Sequence, residues 1–110
     1  MDFKQRRLGK YIVFDLSGEF SKLDHSPAFE EELEQTVKAG NLFLGFNLAN
    51  VSYMDSSGIN TLIRIRKKIG PAGNMVALEP APEVRDLFNL LGMNILLEIF
   101  ADEKDFVRAL

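Results

Sequence analysis

The densest chemistry in this chain lies in four consecutive residues, Asp55-Ser56-Ser57-Gly58. A carboxylate beside two hydroxyls admits three roles. Nucleophilic catalysis needs a general base within reach of the serine. His25 is the sole histidine, and the surroundings are not the Gly-x-Ser-x-Gly elbow of a hydrolase, so catalysis finds no support. The second role is capping, because aspartate and serine accept hydrogen bonds from the free N–H groups at a helix start. The third builds on it: a hydroxyl at a helix N-terminus is well placed to bear phosphate, where exposed N–H groups and the helix dipole favour negative charge. The glycine that follows lets another backbone approach closely.

The other reactive side chains carry less. His25 reads as a solvated loop residue or a capping partner, and Glu30, Glu31, Glu32 and Glu34 as a solvated helix face. Gly70-Pro71-Ala72-Gly73 lacks the Lys-Ser/Thr of a P-loop, and no Gly-x-Gly-x-x-Gly follows the early strands. Tight binding or hydrolysis of ATP by the isolated chain is therefore not expected. With no cysteine and one histidine, neither a thiolate nor a multi-histidine metal site can form. No cofactor, metal or enzymatic activity is expected. Arg64, Arg66, Lys67 and Lys68 make the one basic cluster. Arg64, Lys67 and Lys68 project away from the apolar side of their helix, and Arg66 is expected to bury its stem while its head reaches water. Four cations without interleaved aromatics, on a chain of net charge −3, do not point to direct nucleic-acid binding.

The elements that must position Asp55–Ser56 follow from periodicity. Residues 2–7 hold a single large apolar side chain, Phe3, and form a weak strand that turns at Leu8-Gly9-Lys10 into 11–16. There Ile12, Phe14 and Leu16 fall on one face. Residues 18–27 read as a polar loop. Ser26-Pro27 is an N-cap followed by a proline in the first turn, and Phe29, Leu33 and Val37 repeat along the helix that follows, up to Gly40. The nearly continuous apolar run 42–48 marks a strand buried on both faces. After a turn at Asp55, Ile59, Leu62, Ile63, Ile65 and Ile69 make a second stripe, stopped by Gly70-Pro71. Residues 75–78 form a short strand. Val84, Leu87, Phe88 and Leu91 follow the i, i+3, i+4, i+7 template up to Gly92, and a strand over 95–100 precedes a terminal helix. The helices fall near 27–39, 57–69, 83–91 and 102–110. A hairpin followed by alternating helices and strands implies an α/β domain with a mixed, mostly parallel sheet and about four helices.

A chain of 110 residues is long enough for one core and one domain, spanning 1–110. Its first residues lack the apolar stretch of a secretory signal, and no apolar run could span a bilayer, so a cytoplasmic protein is expected. The turn follows the carboxyl end of a buried strand, where ligand and partner sites of open α/β sheets lie.

Leu16-Ser17-Gly18-Glu19, together with Asn47-Leu48-Ala49-Asn50-Val51-Ser52-Tyr53-Met54-Asp55-Ser56-Ser57-Gly58-Ile59, resembles the STAS-domain anti-sigma factor antagonists. The element order extends that resemblance over essentially the whole chain. It implies a bacterial signalling protein that works by binding other proteins. In that family the hydroxyl residue after the aspartate is phosphorylated by a partner that is both serine kinase and anti-sigma factor. The unphosphorylated form binds this kinase and frees a sigma factor, and a phosphoserine phosphatase resets the switch. Carried over, Ser56 is the phosphoacceptor and Asp55 its neighbour at the contact surface. Ser57 and Gly58 shape the helix start, and the loop 18–24 flanks the same surface. Arg64, Lys67 and Lys68 on the following helix are assigned to steering the partner. In one place the chain departs from the pattern: family members often carry an aspartate two residues after the glutamate of Gly-Glu. Here that position is Ser21, and Asp24 is the candidate replacement.

A second reading keeps the fold and changes the role, to a STAS subunit of a signalling scaffold or a lipid-transport complex. The intact Asp55–Ser56 pair favours the switch, since a purely structural subunit has no need of an accessible hydroxyl. A monomer or weak dimer is expected.

Overall fold

The computed structural model describes residues 1–24 and 26–110; His25 lies outside the described residues. Strands β1 (Asp2–Leu8) and β2 (Tyr11–Phe20) form the expected hairpin, turning at Gly9-Lys10. Then follow α1 (Pro27–Lys38), β3 (Phe43–Met54), α2 (Ser56–Ile69), β4 (Asn74–Leu78) and α3 (Pro82–Leu91). A 3-10 turn (Met93–Ile95), β5 (Glu98–Phe100) and α4 (Glu103–Ala109) complete the chain. The five strands lie side by side in chain order, with β1–β2 antiparallel and every later pair parallel.

Each parallel step moves the same way across the sheet, so right-handed crossovers put α1, α2 and α3 on one face. Their buried residues share one core with that face. Phe29 of α1 is its centre: its ring meets those of Phe3, Phe14, Phe20 and Phe46 at centroid distances of 5.3, 5.6, 5.7 and 6.4 Å. The opposite face is smaller. Tyr11, Val13, Val76 and Leu78 are closed over by Phe106 of α4, whose ring stands edge-on to Tyr11 at 4.9 Å. Gly45 lies in the floor of this face, where a Cβ would come within 3.1 Å of both Val13 and Val76. Arg6 of β1 fastens α4 from the side, holding Asp15 with Nε at 2.8 Å and Glu103 with Nη1 at 2.8 Å.

Four details differ from the sequence-based expectations. Strand β2 runs on to Phe20, because Ser17, Gly18, Glu19 and Phe20 pair with the extended end of β3. Polar side chains hid that stretch in the expected loop. Strand β3 likewise continues through Val51, Ser52, Tyr53 and Met54 instead of ending at Leu48, with two irregularities in its pairing to β2. The apolar run from Ile95 begins in the 3-10 turn, and only Glu98–Phe100 pairs with β4. Leu91 stands 52% exposed, so Val84 and Phe88, with Leu87 partly buried, carry the packing of α3. Among the described residues no helix is long and apolar enough to cross a membrane.

Candidate functional site

Helix α2 begins at Ser56, and Asp55 is its N-cap. One oxygen of the Asp55 carboxylate accepts the Ser57 backbone N–H at 2.9 Å and the Ser57 hydroxyl at 2.7 Å. The other accepts the backbone N–H of Lys22, at 3.0 Å, from the loop after β2. A single side chain therefore caps α2 and fastens the flanking loop to it. The Ser57 hydroxyl first, and then the Lys22 N–H, hold the Asp55 carboxyl below its ordinary value, so it is ionised at neutral pH. The two serines divide accordingly: Ser57 is half-buried and committed to Asp55, whereas Ser56 is exposed.

Gly58 is buried because the end of β2 crosses directly over it. A Cβ there would lie 2.5 Å from the Phe20 carbonyl oxygen and 2.9 Å from the Met54 side chain. The Asp55 N–H donates to that same Phe20 carbonyl at 3.3 Å. The close backbone approach expected of this glycine is thus made by β2.

Ser21, Asp24, Ser57 and Arg64 line one cavity of about 250 Å³ between the loop after β2, the start of α1 and the first turns of α2. Ser21 is buried. Its hydroxyl oxygen accepts the Asp24 N–H at 3.2 Å and donates to Glu19 at 3.3 Å. The Asp24 carboxylate pairs with the amino group of Met1 at 2.6 Å and accepts the Glu19 N–H at 3.3 Å, which hold its carboxyl low. Asp24 thus braces its own loop, and the contact from that loop to Asp55 is the Lys22 backbone.

Arg64, Lys67 and Lys68 are exposed, as expected of side chains pointing away from the apolar stripe, but two of them are paired across to α1. Arg64 pairs with Glu30 and, at 3.7 Å, with Glu34, and Lys68 pairs with Glu34. Thr61 adds a hydrogen bond to Glu30 at 2.7 Å. Glu30 and Glu34 are therefore the acidic half of an α1–α2 seam rather than a solvated face. Lys68, with Arg64, holds the Glu34 carboxyl below its ordinary value. Arg66 is partly buried, as expected, and its guanidinium donates to the Gly70 carbonyl at 3.1 Å. Lys67 is exposed and makes no ion pair among the described residues. It sits about 16 Å along the helix axis from Ser56, at the far end of α2. Among the described residues no three His, Asp or Glu side chains converge as a metal site would require.

The model of the STAS domain matches residues 4–106. The chain belongs to the STAS domain family. Within reach of this STAS domain is the Anti-sigma F factor antagonist of Lysinibacillus sphaericus, 32% identical over 81 residues that cover 67% of each chain. Among solved structures, the anti-sigma factor antagonist SpoIIAA in its unphosphorylated form superposes with a TM-score of 0.76 at 20% identity, over 98% of this chain and 96% of its own. An anti-sigma factor antagonist from Mycobacterium paratuberculosis does so with a TM-score of 0.86 at 20% identity, over 98% and 92%. At these identities the two structures speak for the fold. They share it with this STAS domain from end to end.

Sequence reasoning placed Asp55, Ser56, Ser57 and Gly58 at a capped helix start, as the structure has them, but missed Lys22, whose contribution is a backbone N–H and so leaves no mark in residue type. It also missed Thr61, a polar residue inside the apolar stripe of α2, which is buried against α1.

Proposed function

We propose that this STAS domain is an anti-sigma factor antagonist controlled by phosphorylation of Ser56. Unphosphorylated, it binds a partner that is both serine kinase and anti-sigma factor, and a sigma factor is released. The kinase phosphorylates Ser56 and is itself let go, and a phosphoserine phosphatase restores the binding form. The observation that carries this reading is the division of the two hydroxyls. The Ser57 hydroxyl is bound to Asp55, and Ser56, at the first position of α2, is open to solvent. A scaffold subunit would not need that exposed hydroxyl. Catalysis would need a free base, and Asp55, the carboxylate next to Ser56, is already engaged by the Lys22 and Ser57 N–H groups.

Phosphate on Ser56 adds about −1.5 to −2 charges. At this position the free N–H groups and dipole of α2 favour the charge, by about 0.3–1 kcal/mol. The fold therefore persists, and phosphorylation acts at the partner surface through bulk and through charge that docking would strip of water. Of Arg64, Lys67 and Lys68, it is Lys67 that is left to steer the partner, since Arg64 and Lys68 are engaged with α1.

The test is to isolate the kinase that associates with this chain in its native cells and to treat wild type, Ser56→Ala, Ser56→Asp and Ser57→Ala with it. Intact-mass analysis is expected to place one phosphate on wild type and on Ser57→Ala, and none on Ser56→Ala. Ser56→Ala is expected to bind the kinase, and Ser56→Asp to fold normally and bind poorly. Phosphate on Ser57, or wild-type binding by Ser56→Asp, sinks the mechanism.

A further inference from the structure

Two large apolar side chains stand in water close to Ser56, one beside the loop backbone that Asp55 holds and one three residues before Ser56 in the chain. Leu23, in the loop after β2, is 94% exposed, and Tyr53, near the end of β3, is 52% exposed. We infer, resting on the function proposed above, that Leu23 and Tyr53 are the apolar anchors by which the unphosphorylated chain holds its kinase. They frame the phosphoacceptor.

The position of Leu23 is not that of a slack loop tip. The Lys22 N–H before it is held by Asp55, and the Asp24 N–H within its turn is held by the buried Ser21 hydroxyl. The backbone on both sides is fixed while the side chain projects outward, so little ordering remains to be done on docking. Because the tie to Asp55 also caps α2, Leu23 is coupled to Ser56 through one carboxylate. Tyr53 pairs with Glu19 across the sheet and lies two residues before Asp55. Beside it a groove of about 360 Å³ runs between the end of β3 and the first turns of α3, lined by Tyr53, Met54, Glu83, Val84 and Leu87. The kinase surface that fits this frame has an apolar pocket for Leu23, an apolar side chain for the groove, and a basic group opposite Glu83.

The frame also accounts for how phosphate ejects the partner without refolding the chain. Apolar contact at both anchors excludes water from Ser56 when the kinase is seated. A neutral hydroxyl tolerates that, whereas an unpaired phosphate dianion in the same place carries a large desolvation cost.

Leu90 and Ile95 are 82% and 86% exposed at the opposite end of α3 and serve as controls, being equally apolar but remote from the frame. The experiment measures, by calorimetric titration, the Kd of the Ser56 kinase for wild type, Leu23→Asp, Tyr53→Ala and Leu90→Asp. Melting temperatures are taken alongside. Both anchor variants are expected to melt with wild type, since neither side chain is buried, and to bind roughly ten- to thirtyfold more weakly, as central interface residues do. Leu90→Asp is expected to stay within about twofold of wild type, the behaviour of a residue outside the contact. Wild-type affinity in either anchor variant, with Ser56→Asp still failing to bind, overturns the frame and leaves the switch standing. Equal weakening by Leu90→Asp also overturns it. A wild-type chain that yields no Ser56 kinase overturns the switch itself, and the frame with it.

Discussion

The two faces of the sheet are built on different scales. Three helices and the Phe29 cluster cover one face, and the helix that begins at Ser56 packs on that side. The other face is closed by a helix of seven residues with one buried side chain, Phe106, and an ion pair at its edge. The thick face is a core in which no member can leave alone. The thin face is a cover, and covers can open locally while the rest of the molecule holds. The helix start that carries Ser56 thus rests on the part of the structure least able to drift.

The largest effect that would test this contrast is Phe29→Ala. It removes the ring that four others touch and is expected to cost about 4–5 kcal/mol, the upper end for such a change. Denaturant unfolding should remain a single transition. Phe106→Ala is expected to cost less, about 3 kcal/mol, because one side of its site opens to solvent. Its signature should be local: hydrogen exchange accelerates over 103–109 while α2 stays protected. Equal and global losses from both substitutions would erase the distinction between core and cover.

Gly58→Ala probes the thick face at the site itself. A methyl group driven against the Phe20 carbonyl must push α2 away from β2, at a cost of about 1–3 kcal/mol. The Lys22 amide should then lose protection, because Asp55 moves with the helix. The smallest effect belongs to the edge of the cover. Arg6, and after it Asn47, hold the Glu103 carboxyl below its ordinary value. The stability this contributes is complete above the unfolded glutamate pKa of about 4.3 and is lost as pH falls through the lower native value. Glu103→Gln is expected to cost about 1 kcal/mol or less at neutral pH, as partly exposed pairs do. It should also abolish the acid-induced loosening of α4, followed by amide exchange between pH 3 and pH 6.

Legibility in the sequence followed the same physics. Helices announce themselves by local signals, and Ser26-Pro27, the Ile59–Leu62–Ile65–Ile69 stripe and Gly92 each lie where the chain turns on them. Asp55–Gly58 was legible because capping and close approach are properties of residue type. The ends of β2 and β3 were not. Ser17, Gly18 and Glu19 look like loop, and only pairing with β3 makes them strand. The same holds for Glu30 and Glu34, whose partners lie 30 to 34 positions away on α2. Local sequence can show a charged face without showing what faces it.

Between its Asp15–Asn47 and Phe20–Met54 pairings, β3 holds two residues more than β2. Side chains alternate across a strand with a period of two, so the pair of extra residues returns Met54 to the core and leaves Tyr53 outside. One extra residue would have done the reverse, turning Asp55 away from Lys22 and the helix start it caps. The stretch from 48 to 53 therefore counts by parity. Insertions or deletions of two residues there preserve which side chains meet water around Ser56, whereas a change of one inverts them.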